Sequence, residues 1–418
     1  MYLWSDLEDN QQSLNTMGHG QTRRLTETSV LAVVREWLLN EYVADYCRSL
    51  ATTRIFRRCY LIDGLGSAAK GRKALSPFAL HPTLQPIRSL AQTLAQENKP
   101  IALHNVLLTY GSSKRKDARQ NGSKKLSLSA KESNILTASW LEVAPQITQD
   151  IESSPAIFLL NPFGHTLFTN DDLTLLYKRT APTELCLLLS HKQIETLFLT
   201  AMRSPAYAIV LTAILRTDRW KTFSTQDSER KKVICDIMNL FSASMQRNFL
   251  LPIQEITLPV LVRPGTIEDV SYTLIFATRR QDSFVSMNDA FCRYRRTIDE
   301  QHHRGVLGEE WFELQYKERV ERERQQLQED ILQLGRTQRI RHWPDLRQQV
   351  LVANFGRFLL HDYDSILHQL LHDGEVRCEW RRKAIEDETE RLPNNNDTLF
   401  WNEERTMQRG RGGTRGKH

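Results

Sequence analysis

Arg57-Arg58-Cys59-Tyr60-Leu61-Ile62-Asp63-Gly64-Leu65-Gly66-Ser67-Ala68-Ala69-Lys70-Gly71 is the stretch on which the fold assignment turns. An apolar run ends in Asp-Gly-x-Gly, which reads as a buried strand, a tight glycine turn and the approach to a helix. In doubly wound α/β folds nucleotide-type cofactors are held in this way. Glycines let the backbone come close to the ligand, and an acid at the strand end accepts hydrogen bonds from a ribose or an amine. Asp63, Gly64 and Gly66 are therefore the candidate cofactor contacts. The same residues also suit an ordinary strand-to-helix turn.

On the N-terminal side, Thr26 to Cys47 follows a helical period, with Val30, Val33, Val34, Trp37 and Leu38 on the side that would pack on this strand. Residues 1–24 are polar and read as a loose arm. On the C-terminal side a helix near Pro86 to Glu97 leads to a second strand, Ile101 to Tyr110. Gly111 to Lys131 is rich in Lys, Arg, Ser and Gly and reads as an exposed insertion, either a solvated loop or a basic contact with phosphates.

Pro155 to Leu160 is a further buried strand that ends in Asn161-Pro162-Phe163-Gly164, and Glu184 to Ser190 is again apolar and strand-like. Asp171 to Tyr177 and most of Ala201 to Phe249 read as helical, Tyr272 to Thr278 as a late strand and Met287 to Tyr294 as a helix. Strands separated by helical stretches argue for a mostly parallel sheet covered on both faces, with sites at the carboxyl ends of its strands. Asp63 and Asn161 both fall at such ends. Residues 25–300 are expected to form this α/β, Rossmann-like domain.

From Glu309 to Gln338 runs a charged helix with a sparse apolar line, read within 301–342 as a solvated linker or a short coiled contact. In 343–402, two helices, the alternating Val376, Cys378 and Trp380, a loop and Leu399-Phe400-Trp401 follow the order of a winged helix, which binds DNA in some proteins and docks protein in others. Residues 403–418 form a basic tail able to touch a nucleic-acid backbone.

The full chain has 418 residues, with Lys+Arg 56 against Asp+Glu 50 and a formal net charge of +6. That balance permits an anionic partner without requiring one. Its six cysteines form no CxxC pair, so neither a zinc cage nor a disulfide framework is suggested and a reducing cytoplasm fits. The longest apolar stretch, Ala206 to Leu215, is too short to cross a bilayer, so a membrane is not expected among the partners.

Asn161-Pro162-Phe163 is the candidate catalytic turn. In amino-methyltransferases an Asn/Asp/Ser-Pro-Pro-aromatic turn accepts hydrogen bonds from the target amine, and its ring stacks on the base. The alternative is a plain strand-end turn with a buried Phe163. His368 and His372, four apart, read as a surface pair or as two ligands with no third beyond His361 or Glu375; no metal is expected. His191 sits at a sheet end, as a polar group of the site or a satisfied strand-end residue. No Ser-His-Asp or Cys-His arrangement and no Gly-Lys-Ser/Thr loop supports hydrolysis.

Taken in series, these motifs resemble the three-Cys-motif partner proteins, the TcmP family. The resemblance is carried by Tyr60 to Gly64, Ser76-Pro77, Phe158 to Gly164, Pro182 to Leu189, Arg216-Thr217-Asp218-Arg219-Trp220 and Tyr272 to Arg279. It implies a core that resembles a class I methyltransferase, a winged-helix-like C-terminal region and a partner of the three-Cys-motif phage type that looks like a radical enzyme. With the Asp63-Gly-x-Gly turn, the Asn161 turn and the basic, winged C-terminus, the expectation is S-adenosylmethionine as cofactor and action on nucleic acid, DNA or RNA. The sequence departs from the family turn at Asp63 to Gly71, carries Asn161 where the family has Asp, and has Leu108-Thr109-Tyr110-Gly111 where an acid would hold ribose hydroxyls. With that acid missing, the alternative is a catalytically inactive methyltransferase-like scaffold that binds DNA or a partner protein.

Overall fold

The computed structural model describes residues 33–65, 84–97, 100–109, 128, 133–164, 166–263, 266–269, 271–304, 309–381 and 391–402. Gly66, Ser76-Pro77, the arm 1–24 and the tail 403–418 lie outside the described residues, as does the 111–131 insertion apart from Leu128. The chain divides into two compact units, Met1–His302 and His303–His418.

In the first unit a helix over 33–52 (α1) is α-helical except at Leu38–Val43, which is π-helical. It leads to β1 (Arg58–Asp63), α2 (Leu84–Ala95), β2 (Ala102–Leu108), β3 (Ser133–Leu136), α3 (Trp140–Asp150) and β4 (Ala156–Leu160). Next come α4 (Thr174–Tyr177), β5 (Thr183–Ser190), α5 (His191–Arg203), α6 (Pro205–Leu215) and α7 (Arg230–Gln246). The unit ends with β6 (Gln254–Ile256), the hairpin β7 (Pro259–Arg263) and β8 (Thr266–Asp269), β9 (Tyr272–Ala277) and α8 (Gln281–Arg304).

Seven strands form one sheet in the order β3-β2-β1-β4-β5-β9-β6. The five from β3 to β5 are parallel, and β9 lies antiparallel between β5 and β6. This is a mixed α/β fold with a mostly parallel sheet. Its direction of winding reverses between β1 and β4, and the side chains there are apolar on both faces, as parallel strands covered by helices require.

One face carries Tyr60, Ile62, Phe158, Leu160, Leu187 and Leu189 into the main core with α3, α5 and α7. Leu128 joins that core, so the insertion, expected to be exposed, contributes at least one anchor. The other face carries Cys59, Leu61, Asp63, Ile157, Leu159, Glu184 and Cys186, two residues apart along each strand. Over it, α1 meets α8. The Trp37 indole donates to the Ala290 carbonyl (3.4 Å), Tyr42 Oη and Ser283 Oγ share a hydrogen bond (2.8 Å), and Arg293 bridges Glu41 and Asp45 (2.8 Å each).

The second unit contains α9 (Glu309–Gln338), α10 (Trp343–Ala353), α11 (Leu360–His372) and the antiparallel pair β10 (Val376–Glu379) and β11 (Thr398–Trp401). Leu314 and Val320 in the first half of α9 are exposed, whereas Leu327 and Ile331 in its second half are fully buried and the helix packs on α10, α11 and β11, more than a solvated linker would do. Gly335 explains the closest approach: a Cβ there would collide with the Trp401 ring. Trp401 Nε1 in turn donates to the Ile340 carbonyl (2.7 Å).

Candidate functional site at the sheet reversal

In an open α/β sheet the crevice forms outside the carboxyl ends of strands, where the order reverses. Here that point lies between β1 and β4, paired in register from Tyr60↔Ala156 to Asp63↔Leu159. The pairing extends one step further through Gly64 N to the Leu159 carbonyl (2.8 Å). Asp63 and Asn161 thus end neighbouring strands, as the two motifs require.

Asp63 is buried, and its carboxylate is held in a fork. Arg35 of α1 donates through Nε to Oδ2 (2.8 Å) and through Nη2 to Oδ1 (3.2 Å), and Leu65 N caps Oδ1 (3.1 Å). A fork of this kind is the strong form of the Arg–carboxylate pair. A Cβ at Gly64 would come within 2.7 Å of Leu160 Cδ2, so the Leu160 side chain would have to shift. Arg35, Leu38, Leu39, Val43, Leu61, Asp63, Ile87, Ile157 and Leu159 line a narrow, largely apolar cleft, three of its walls coming from the π-helical turn. Single π turns are frequent at functional sites.

Asn161 makes an Asx turn, its Oδ1 accepting from Phe163 N (3.0 Å), while its Nδ2 donates to Gln193 Oε1 on α5 (2.9 Å). The Pro162 carbonyl accepts from Phe168 N (3.3 Å), and the Asn161 carbonyl from Gly164 N (3.2 Å). Phe163 is buried and meets Phe241 edge to face at 5.7 Å. Each of these oxygens already accepts from one backbone donor, and the ring lies in the core.

His191 opens α5, and its Nε2 lies 2.9 Å from Thr273 Oγ1, a satisfied position on the neighbouring strand. His372 is exposed beside Asp373, and among the described residues no three His, Cys, Asp or Glu side chains could hold a metal.

Two residues of this face were not singled out from the sequence. Arg35 is separated from Asp63 by 28 positions, and no local pattern links them. Glu184 is fully buried at the amino end of β5, and neither carboxyl oxygen has a hydrogen-bonded partner among the described residues. Burial lifts its pKa to about 7. The Thr278 and Ser283 hydroxyls and Arg280 favour the charged form without reversing the shift. Around it, burial also raises the Tyr42, Tyr46 and Cys186 pKa values, so the pocket as a whole disfavours negative charge. A lone glutamate opening an apolar strand was the available signal.

Whether the described residues fit S-adenosylmethionine can be judged from the crevice itself. The apolar walls suit a flat ring, and the Asp63 carboxylate beside them is held by Arg35. Gly66 lies outside the described residues. No helix among the described residues is long and apolar enough to cross a membrane.

No family model and no curated protein matches the chain. Among solved structures it is similar to the plantazolicin methyltransferase BamL, crystallised with a triazolic desmethylPZN analog and SAH. The identity is 9%, the match covers 66% of this chain and 93% of that one, and the TM-score is 0.25. So loose a superposition leaves the fold assignment to the strand order of the sheet.

Proposed function

We propose that the chain is a methyltransferase-fold protein of the three-Cys-motif partner (TcmP) type, dependent on S-adenosylmethionine, that acts on nucleic acid with a partner protein in the cytoplasm. The supporting observation is placement: Asp63-Gly64 and Asn161-Pro162-Phe163 end adjacent parallel strands where the sheet order reverses. In this reading Asp63 is a positioning residue that fixes Arg35 and the turn at the crevice. The second unit, whose helices precede a two-stranded antiparallel pair, takes the part of the winged-helix-like region.

A second reading is a catalytically inactive scaffold with the same fold. It is favoured by one observation, that the Asp63 carboxylate and both acceptors of the Asn161 turn are already engaged within the chain.

Calorimetric titration of the full chain with S-adenosylmethionine and S-adenosylhomocysteine separates the two. The first reading expects micromolar binding that an Asp63→Ala protein, shown folded by circular dichroism, loses. Absence of binding in the unsubstituted protein rules the first reading out and leaves the scaffold.

A further inference from the structure

Between α1 and β1 runs Thr53-Arg54-Ile55-Phe56-Arg57-Arg58, a basic stretch that the crevice does not use. Arg54, Arg57 and Arg58 are exposed, and Ile55 is 75% exposed. Nearby arginines are neutralised: Arg48 pairs with Asp45 and Glu97, Arg280 with Asp282, and Arg293 with Glu41 and Asp45. Among the described residues Arg54, Arg57 and Arg58 have no such carboxylate.

The loop is also held in place. Thr53 N and Arg54 N close the end of α1 on the carbonyls of Leu50 and Ala51, and the Arg57 carbonyl accepts from Ala102 N (2.9 Å). Arg54 sits at φ 56°, in the left-handed region where glycine is the usual residue at a helix end. That conformation costs a residue with a side chain more than it costs glycine.

We propose that this loop is a docking site for the phosphate backbone of single-stranded nucleic acid, with the three guanidinium groups on phosphates and Ile55 against a base face. Guanidinium groups pair with phosphate through two parallel hydrogen bonds, and releasing counterions supplies the affinity. The stretch stands at the amino end of β1, roughly 17 Å from Asp63 by strand rise, so it would anchor the strand away from the crevice. In naming nucleic acid the inference rests on the function proposed above, yet it needs neither cofactor nor crevice.

The test is fluorescence anisotropy of the full chain with labelled oligothymidylate of about 20 nucleotides at salt concentrations from about 50 to 200 mM. Arg57→Glu/Arg58→Glu should weaken binding about tenfold or more and lower the salt slope by about 1.5. Arg54→Gly should raise the Tm by about 1–2 °C while weakening binding, a pairing that a structural role for Arg54 does not produce. Unchanged affinity and slope in the double variant, no binding by the unsubstituted protein, or arginine-dependent binding of polyglutamate in place of the oligonucleotide would each overturn the proposal. A failed cofactor titration with intact oligonucleotide binding removes the enzyme reading alone.

Discussion

Two carboxylates share the sheet face beneath α1 and α8: Asp63 at the carboxyl end of β1 and Glu184 near the amino end of β5. Both are buried, and their surroundings differ in one respect. Asp63 has a guanidinium aligned with both oxygens, whereas neither oxygen of Glu184 has such a partner, only the Thr278 and Ser283 hydroxyls and Arg280 close enough to favour its charge. At Glu184 burial outweighs those groups and pushes the pKa up to about 7. A bonded guanidinium is what the crevice end has and the other end lacks.

The largest expected effect comes from breaking the paired site. Arg35→Ala leaves a buried carboxylate without its counter-ion and should cost about 3–5 kcal/mol. Adding Asp63→Asn should recover much of that loss. Urea unfolding of the two single variants and the double gives the coupling directly, and additive losses would mean that the fork contributes nothing.

Glu184 should respond to pH in the opposite sense from a salt-bridged acid. Its folded pKa of about 7 stands above the 4.5 of an ordinary glutamate, so its contribution is intact below pH 4.5 and declines as pH rises towards 7. The unfolded chain then releases a proton that the folded chain must hold. The decline amounts to about 3 kcal/mol. Glu184→Gln should remove this part of the pH dependence, so thermal melts between pH 4.5 and 8 should separate the two proteins at the alkaline end. Parallel curves would show that Glu184 ionises without penalty.

A smaller change is expected at the neighbouring turn. Asn161→Ala loses the bonds to Phe163 N and Gln193 and should cost about 1–2 kcal/mol by urea unfolding. A loss of cofactor binding with undiminished stability would instead assign Asn161 to the ligand.

What the sequence conveys about this molecule follows the size of the physical signal. β1, β4, β5 and β9 are unbroken apolar runs bounded by turn residues, and they pair as such runs do in a doubly wound sheet. Ser133–Leu136 and Gln254–Ile256 are short and mixed, and only their neighbours make them strands. The turn residues Asp63 and Asn161 are legible as strand ends, but their partners Arg35 and Gln193 come from helices 28 and 32 positions away. Glu184 was visible yet absorbed into the apolar strand that it begins.

The clasp between α1 and α8 also constrains the order in which the protein can be made. Trp37 meets Ala290 and Tyr42 meets Ser283, contacts that span 253 and 241 residues. A chain emerging from the ribosome can form early β-α units, but it cannot seal the face bearing Asp63 and Glu184 until residue 290 or so has appeared. For most of its synthesis that apolar surface, with its buried acids, waits for its cover. Contacts so distant in sequence close late in synthesis, after α8 has been made.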